Sequence, residues 1–90
     1  MKKRAEAHYA GRVQGVGFRY TAENLATQYG VTGYVKNLGN GQVELVVEGE
    51  ELTLKNMLAD LRGQMDRYVE NEQLDWFDPT GEFIGFMIRY

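Results

Sequence analysis

The chain has 90 residues, of which 43% are hydrophobic and 26% charged, and its formal net charge is −3. This length makes one small domain with a single core, and the composition is typical of globular proteins that are neither disordered nor membrane-embedded. No apolar run approaches the ~20 residues that span a bilayer, so we expect no membrane partner. Cysteine is absent, which excludes disulfides, thiolate metal sites and a cysteine nucleophile. The negative charge argues against a nucleic-acid partner.

The first residues, Met1–Arg4, are basic but continue into Ala5–His8 and not into an apolar stretch. This pattern does not resemble a secretory signal, and we expect a cytoplasmic protein. No repeat, linker or low-complexity segment interrupts the chain. We therefore expect residues 1–90 to form a single domain, and we expect that domain to be a monomer.

Hydrophobic periodicity predicts three elements in the first part of the chain. Apolar and polar residues alternate from Ala5 to Val13, which is typical of a strand with one covered face. From Phe18 to Tyr29 the apolar residues recur at three- and four-residue spacing, which predicts an amphipathic helix that ends at Gly30. The segment from Val31 to Asn37 predicts a second strand.

The second part of the chain begins with a hairpin signal. The turn Leu38–Gly41 contains Asn-Gly, which favours a tight hairpin, and the alternation from Val43 to Val47 predicts a third strand. An apolar stripe from Leu54 to Met65 predicts a second helix. The last three segments are an extended stretch, a turn and a closing strand, at Val69–Phe77, Asp78–Gly81 and Phe83–Tyr90.

The order strand-helix-strand-strand-helix-strand predicts an α+β fold of the ferredoxin-like, split βαβ type, with an antiparallel sheet and two helices on one face. In this arrangement the first two strands run parallel, although the third strand lies between them. Their carboxyl ends therefore reach the same edge of the sheet. We expect the turn Gln14–Arg19 and residue Asn37 to lie side by side at that edge.

The turn between the first strand and the first helix has the features of an anion site. Its glycines leave backbone N–H groups accessible, and Arg19 lies in the first helical turn, where the helix dipole normally favours carboxylates. A cation there is explained if an anion binds to the N–H groups and to the guanidinium. The alternative is a tight strand-to-helix connection with an exposed arginine.

The segment Gly11–Arg19 (GRVQGVGFR), followed by Gly33–Glu44 (GYVKNLGNGQVE), resembles the paired signature of the acylphosphatase family. The closing segment Phe86–Tyr90 is similar to the last strand of that family. One departure is the stretch Arg62–Tyr68, where the family often has a Gly/Pro-containing loop and this chain can extend the second helix.

The resemblance implies that the protein hydrolyses small-molecule acyl phosphates to a carboxylate and inorganic phosphate, without a metal or cofactor. It implies catalytic roles for two residues, with Arg19 binding phosphate and Asn37 orienting water. It also implies that the phosphate is held by a loop made of Gln14, Gly15, Val16, Gly17, Phe18 and Arg19.

Other interpretations remain open at this stage. Asn37 is also a residue type that enters turns and bonds to hairpin backbone. The only histidine, His8, lies on a predicted strand and has no second set of metal ligands beside it. The same topology occurs in RNA-recognition domains, so a non-catalytic anion- or RNA-binding module is the alternative function.

Overall fold

A computed structural model describes residues 1–90 as a five-stranded sheet with two helices. The helices lie on one face of the sheet, as the alternating burial of the strand residues shows. Neither helix is long and apolar enough to cross a membrane. The strands are β1 (Lys2–Gly11), β2 (Thr32–Asn37), β3 (Val43–Glu50), β4 (Val69–Phe77) and β5 (Phe86–Arg89), and the helices are α1 (Phe18–Tyr29) and α2 (Glu51–Gln64).

The strand order across the sheet is β4-β1-β3-β2-β5. The predicted α+β ferredoxin-like fold is confirmed, because β1 and β2 run parallel on either side of β3 and both pair with it antiparallel. The expectation of a purely antiparallel sheet is wrong in one place, since β5 pairs with β2 in parallel. This pairing adds a fifth strand at the edge beyond β2.

The register of β3 determines which residues meet at the upper edge of the sheet, which is the end where β3 begins. Val43 pairs with Tyr9 of β1 on one side and with Asn37 of β2 on the other. The carboxyl ends of β1 and β2 therefore meet at one edge, as the sequence predicted. The parallel strand β5 ends at this same edge, because Lys36 pairs with Arg89.

The core lies between the helices and the inner face of the sheet, and it fixes where α1 begins. Phe18, the first residue of α1, is 2% exposed, and its ring centroid lies 4.9 Å from that of the buried Tyr9. Two aromatic side chains that pack against each other bury a large apolar area and favour a defined orientation of their rings. This contact anchors the start of α1 to β1 and thereby holds the connecting loop at the sheet edge.

Two predicted boundaries are wrong for identifiable reasons. The closing strand begins at Phe86 and not at Phe83, because residues 78–85 are used to cross from β4 to β5. β4 and β5 are the two outermost strands of the sheet, four inter-strand spacings or about 19 Å apart. The second helix ends at Gln64 and residues 65–68 form a turn, so the stretch Arg62–Tyr68 extends the helix only in part.

The crossing segment, residues 78–85, is held to the outer face of the sheet by the carboxylate of Glu48. The N–H of Gly81 donates to Glu48 at 2.9 Å, the hydroxyl of Thr80 at 2.8 Å, and the guanidinium of Arg4 at 2.9 Å. Burial alone raises the pKa of Glu48, but these hydrogen bonds outweigh it and lower the pKa to about 2. Both oxygens of this buried carboxylate thus accept hydrogen bonds.

We expect this interaction to contribute to stability in a pH-dependent way. The pKa of Glu48 is about 2 in the folded state against an ordinary 4.5. Its stabilisation is therefore complete above pH 4.5 and is lost as the pH falls toward 2. Glu48→Gln should lower the free energy of unfolding at pH 7 by about 1.5–3 kcal/mol, the usual worth of hydrogen bonds to a charged group.

Denaturant midpoints at pH 7 and pH 3 measure this effect. The loss of stability between these pH values should be smaller in Glu48→Gln than in the parent protein. Glu70→Gln, which changes an exposed carboxylate of β4, is the matched control and should behave like the parent. An identical acid dependence in Glu48→Gln and the parent would contradict this role.

Candidate active site

The loop between β1 and α1 has an alternating backbone conformation. Gly15 and Gly17 have φ angles of +76° and +85°, whereas φ of Val16 between them is not positive. An added Cβ at either glycine would meet no atom within 4 Å, so glycine is required here by the backbone angle and not by lack of space. Such alternation turns successive N–H groups toward one side, which forms a concave anion-binding surface.

The N–H groups of this loop have no acceptors within the protein. None of the backbone N–H groups from Gln14 to Tyr20 donates to a backbone or side-chain acceptor. Helix α1 has no side-chain cap at Gly17 and no acidic residue in its first turn. Because unpaired N–H groups and the helix dipole both carry partial positive charge, this end of α1 attracts anions.

Arg19 adds a full positive charge to the same place. It forms no salt bridge, unlike Arg4, which pairs with three carboxylates. Its guanidinium carbon lies 5.0 Å from the ring centroid of Tyr90, so the aromatic face positions the guanidinium without neutralising it. Tyr90 comes to this edge because β5 runs parallel to β2.

Asn37 is placed beside the loop by the end of β2. Its Oδ1 atom is buried and has no hydrogen-bond partner within the protein. A buried amide oxygen without a donor is costly, and a catalytic role or an ordered water is one explanation for such a group. The structural alternative, in which the Asn37 side chain bonds to hairpin backbone, has no hydrogen bond to support it.

Loop and strand together form a concavity of about 110 Å³. Its lining contains four of the predicted loop residues, together with the predicted Asn37 and two residues that were not predicted to belong to the site. The full lining is Val13, Gly15, Gly17, Phe18, Arg19, Tyr20 and Asn37. The geometry therefore brings together the two segments that the sequence placed at one edge.

Two predicted loop residues do not line the concavity with their side chains. The amide nitrogen of Gln14 donates to the carbonyl oxygens of Leu38 and Gln42, at 2.8 and 2.9 Å. The side chain of Val16 packs against the core. Only their backbone N–H groups are free to bind an anion, and the Gln14 side chain instead ties the loop to the β2–β3 turn.

Sequence reasoning missed Tyr20 and Tyr90 as neighbours of the site. Tyr20 directly follows Arg19, so its position beside the concavity follows from the start of α1. Tyr90 could be found only from the parallel pairing of β5 with β2, which periodicity does not reveal.

In the rest of the molecule, the features to compare with the concavity are metal-binding groups and other cavities. The chain gathers no group of three or more His, Cys, Asp or Glu side chains suited to a metal ion. A larger cavity of about 530 Å³ lies at the other end of the strands, near the carboxyl end of β3, beside Glu48, Thr80 and Gly30. The buried charge there, that of Glu48, is already fully hydrogen-bonded.

Comparison with known proteins agrees with this geometry. The sequence profile of the acylphosphatase family matches residues 5–88. The chain belongs to the acylphosphatase family. It is 44% identical over 86 residues to an acylphosphatase of Roseiflexus sp. (strain RS-1), covering 94% of this chain and 92% of the relative. It is 42% identical over 90 residues to an acylphosphatase of Pelotomaculum thermopropionicum, covering 97% and 98% of the two chains.

A solved structure of this family also superposes on the chain. The crystal structure of acylphosphatase from Bacillus subtilis gives a TM-score of 0.88 at 28% identity, covering 98% of this chain and 99% of that one. The predicted membership of the acylphosphatase family and the predicted enzyme class are therefore confirmed. The protein is an acylphosphatase, a hydrolase that acts on acyl phosphates.

The geometry of this acylphosphatase predicts how anions bind. Inorganic phosphate should raise the melting temperature, and at 100 times its dissociation constant the stabilisation is about 2.7 kcal/mol. Arg19→Ala should abolish this stabilisation, and Arg19→Lys should weaken it, because an ammonium cannot reproduce the guanidinium fork. Tyr90→Ala should weaken phosphate binding by about 2- to 5-fold, the worth of one exposed cation–π contact, whereas Tyr90→Phe should not.

Thermal melting with increasing phosphate provides the measurement. Arg67→Ala is the matched control, because Arg67 also lies over a tyrosine, with its guanidinium carbon 5.5 Å from the Tyr68 ring, but does not line the concavity. Its phosphate response should equal that of the parent. Undiminished stabilisation of Arg19→Ala by phosphate would show that the anion binds elsewhere.

Proposed function

We propose that this acylphosphatase hydrolyses small-molecule acyl phosphates without a metal or cofactor, with the loop Gln14–Arg19 holding the phosphate and Asn37 orienting the attacking water. The observation that carries the proposal is the meeting, in one concavity, of unpaired loop N–H groups, the unneutralised Arg19 and the unpartnered Oδ1 of Asn37. All these groups come from one chain, which agrees with a monomeric enzyme. The proposal keeps the cytoplasmic location expected from the sequence.

Phosphate recognition is the first requirement that these groups meet. The loop N–H groups donate to the phosphoryl oxygens, and Arg19 donates through its guanidinium as a charge-assisted fork. Because the donors are held by glycine backbone angles and by the buried Phe18, they need little reorganisation when the substrate arrives. Preorganised donors of this kind act on the charge that develops during phosphoryl transfer.

The chemical step then demands little covalent help. Phosphoryl transfer passes through a loose transition state, with charge spread over the oxygens that face the loop. The leaving group is a carboxylate, which is stable without being protonated, so no general acid is needed. A phosphate monoester would leave as an alkoxide and would need an acid or a metal, so it should be a poor substrate.

Asn37 supplies the position of the nucleophile. An amide is not basic enough to remove a proton from water, but its Oδ1 can accept a hydrogen bond from that water and hold it in line with the phosphorus. Orientation alone lowers the barrier substantially when the reacting groups are already close. The buried, unpartnered state of Oδ1 supports this assignment.

The alternative of an RNA-binding module finds less support. RNA-recognition domains of this topology bind nucleic acid on the sheet surface. The outer face of this sheet carries the carboxylates of Glu6, Glu44 and Glu48 beside the cations of Arg4, Lys36 and Arg89, so it does not present the one-sided basic surface typical of nucleic-acid binding. Glu44 is also engaged internally, since it accepts hydrogen bonds from Tyr34 at 2.7 Å and pairs with His8 at 3.1 Å.

A hydrolysis assay with and without EDTA tests the function. The protein should hydrolyse benzoyl phosphate at the same rate after dialysis against the chelator, and it should hydrolyse phenyl phosphate far more slowly. The two substrates share an aromatic ring and a phosphoryl group but differ in the leaving group. Loss of activity that a divalent ion restores would overturn the metal-free mechanism, and equal turnover of both substrates would overturn the leaving-group argument.

Asn37→Ala should separate catalysis from binding. If Asn37 orients water, turnover should fall about 100-fold or more, the scale for removing one preorganised catalytic group. The affinity for inorganic phosphate should stay close to that of the parent, because Arg19 and the loop N–H groups remain. Turnover, phosphate binding and the denaturant midpoint are measured on the same variant.

Asn40→Ala is the matched control for this substitution. The Oδ1 of Asn40 accepts a hydrogen bond from the N–H of Gln42 at 3.0 Å within the same hairpin turn, and Asn40 does not line the concavity. This variant should lose about 0.5–1.5 kcal/mol of stability and keep its turnover per folded molecule. A similar result for Asn37→Ala, destabilised but active, would show that Asn37 only supports the hairpin.

A further inference from the structure

The size of the concavity limits which part of a substrate it can enclose. Pockets that enclose whole organic ligands usually measure ~300–1,000 Å³. The concavity beside Arg19 measures about 110 Å³. It can therefore enclose the phosphoryl end of an acyl phosphate, whereas the acyl group must lie at the rim. Selectivity among acyl groups then depends on the side chains of the rim.

Only one side chain in the lining presents an apolar surface to solvent. Val13 and Phe18 are 1% and 2% exposed and belong to the core, and the two glycines have no side chain. Tyr20 is 70% exposed. The remaining lining residues, Arg19 and Asn37, are polar. An apolar acyl group at the rim can thus remove apolar surface from water on this lining only by contacting Tyr20.

The structure also fixes the position of Tyr20. It lies in the first turn of α1, two residues after the buried Phe18 that anchors the helix. Its backbone is therefore set by the same contact that positions the phosphate-binding loop. Tyr90 is also exposed and lies against the guanidinium of Arg19, but it does not line the concavity.

We propose that Tyr20 is a specificity-determining residue that contacts the acyl group and favours acyl phosphates with an apolar, above all an aromatic, acyl group. This proposal rests on the proposed function, because it assumes that the phosphoryl group binds in the loop. An aromatic acyl group can stack on the tyrosine ring, whereas the methyl group of acetyl phosphate offers little area to bury. The tyrosine hydroxyl takes no part in this contact.

The test compares kcat/KM for benzoyl phosphate and acetyl phosphate. Tyr20→Ala should lower kcat/KM for benzoyl phosphate by about 3- to 10-fold, the range for one aromatic contact, and change the value for acetyl phosphate by less than about 2-fold. Tyr20→Phe should match the parent with both substrates. Competitive inhibition by inorganic phosphate should be unchanged in both variants, because the loop and Arg19 are intact.

Leu52→Ala is the control for removing exposed apolar surface. Leu52 is 71% exposed on α2 and lies outside the concavity, so its replacement should leave both kcat/KM values unchanged. Thermal midpoints of all variants show whether a change reflects unfolding. Because Tyr20 is exposed, we expect these midpoints to stay near that of the parent.

The outcomes separate this proposal from the proposed function. If the parent protein hydrolyses neither substrate, or if Arg19→Ala retains full activity, the proposed function fails and this inference fails with it. If the parent is active and Arg19-dependent but Tyr20→Ala lowers both kcat/KM values equally, or neither, the specificity role of Tyr20 is wrong while the proposed function stands. A Tyr20→Phe variant that behaves like Tyr20→Ala would also contradict the proposal, because it would assign the effect to the hydroxyl.

Discussion

The pairing of β3 with β1 on one side and β2 on the other is the constraint on which the site depends. Val43 lies between Tyr9 and Asn37 in this register, so the loop that follows β1 and the last residue of β2 reach the same sheet edge. The contact between the rings of Tyr9 and Phe18 then anchors α1 at that edge. A shift of one residue in either pairing would turn the buried side chains to the opposite face, so the hydrophobic core and the site depend on the same register.

The two ends of the sheet use polar groups in opposite ways. At one end of the sheet, near the carboxyl end of β3, the carboxylate of Glu48 is fully bonded to Arg4, Thr80 and Gly81. These bonds fix the segment 78–85, which crosses from β4 to β5. At the upper edge the loop N–H groups and the Oδ1 of Asn37 are left without protein partners. Satisfied polar groups stabilise a fold, whereas preorganised, unsatisfied groups are suited to bind a ligand or a transition state.

Local patterns predicted much of this architecture, including a closing strand, but not the strand with which that last strand pairs. Three of the signals are local, because each can be recognised from a few consecutive residues. They are the glycines of the loop, the cation in the first turn of α1 and the Asn-Gly turn. The partner of β5 depends instead on the path of residues 78–85 across the sheet, which is set by contacts to Glu48 and Arg4 far away in the sequence. Sequence patterns therefore place Arg19 and Asn37 at one edge but do not reveal Tyr90, and they do not show that the Gln14 side chain joins the loop to the hairpin.

The proposed mechanism depends above all on the binding of the phosphoryl group by the N–H groups at the start of α1. Titration of ¹⁵N-labelled protein with inorganic phosphate, followed by amide chemical shifts, tests it most directly. We expect the largest shifts at the amides from Gly15 to Arg19, with downfield proton changes as these groups begin to donate to an anion, whereas the β4 amides should scarcely move. Shifts concentrated at Thr80 and Gly81, or spread over the surface without a maximum in the loop, would contradict it.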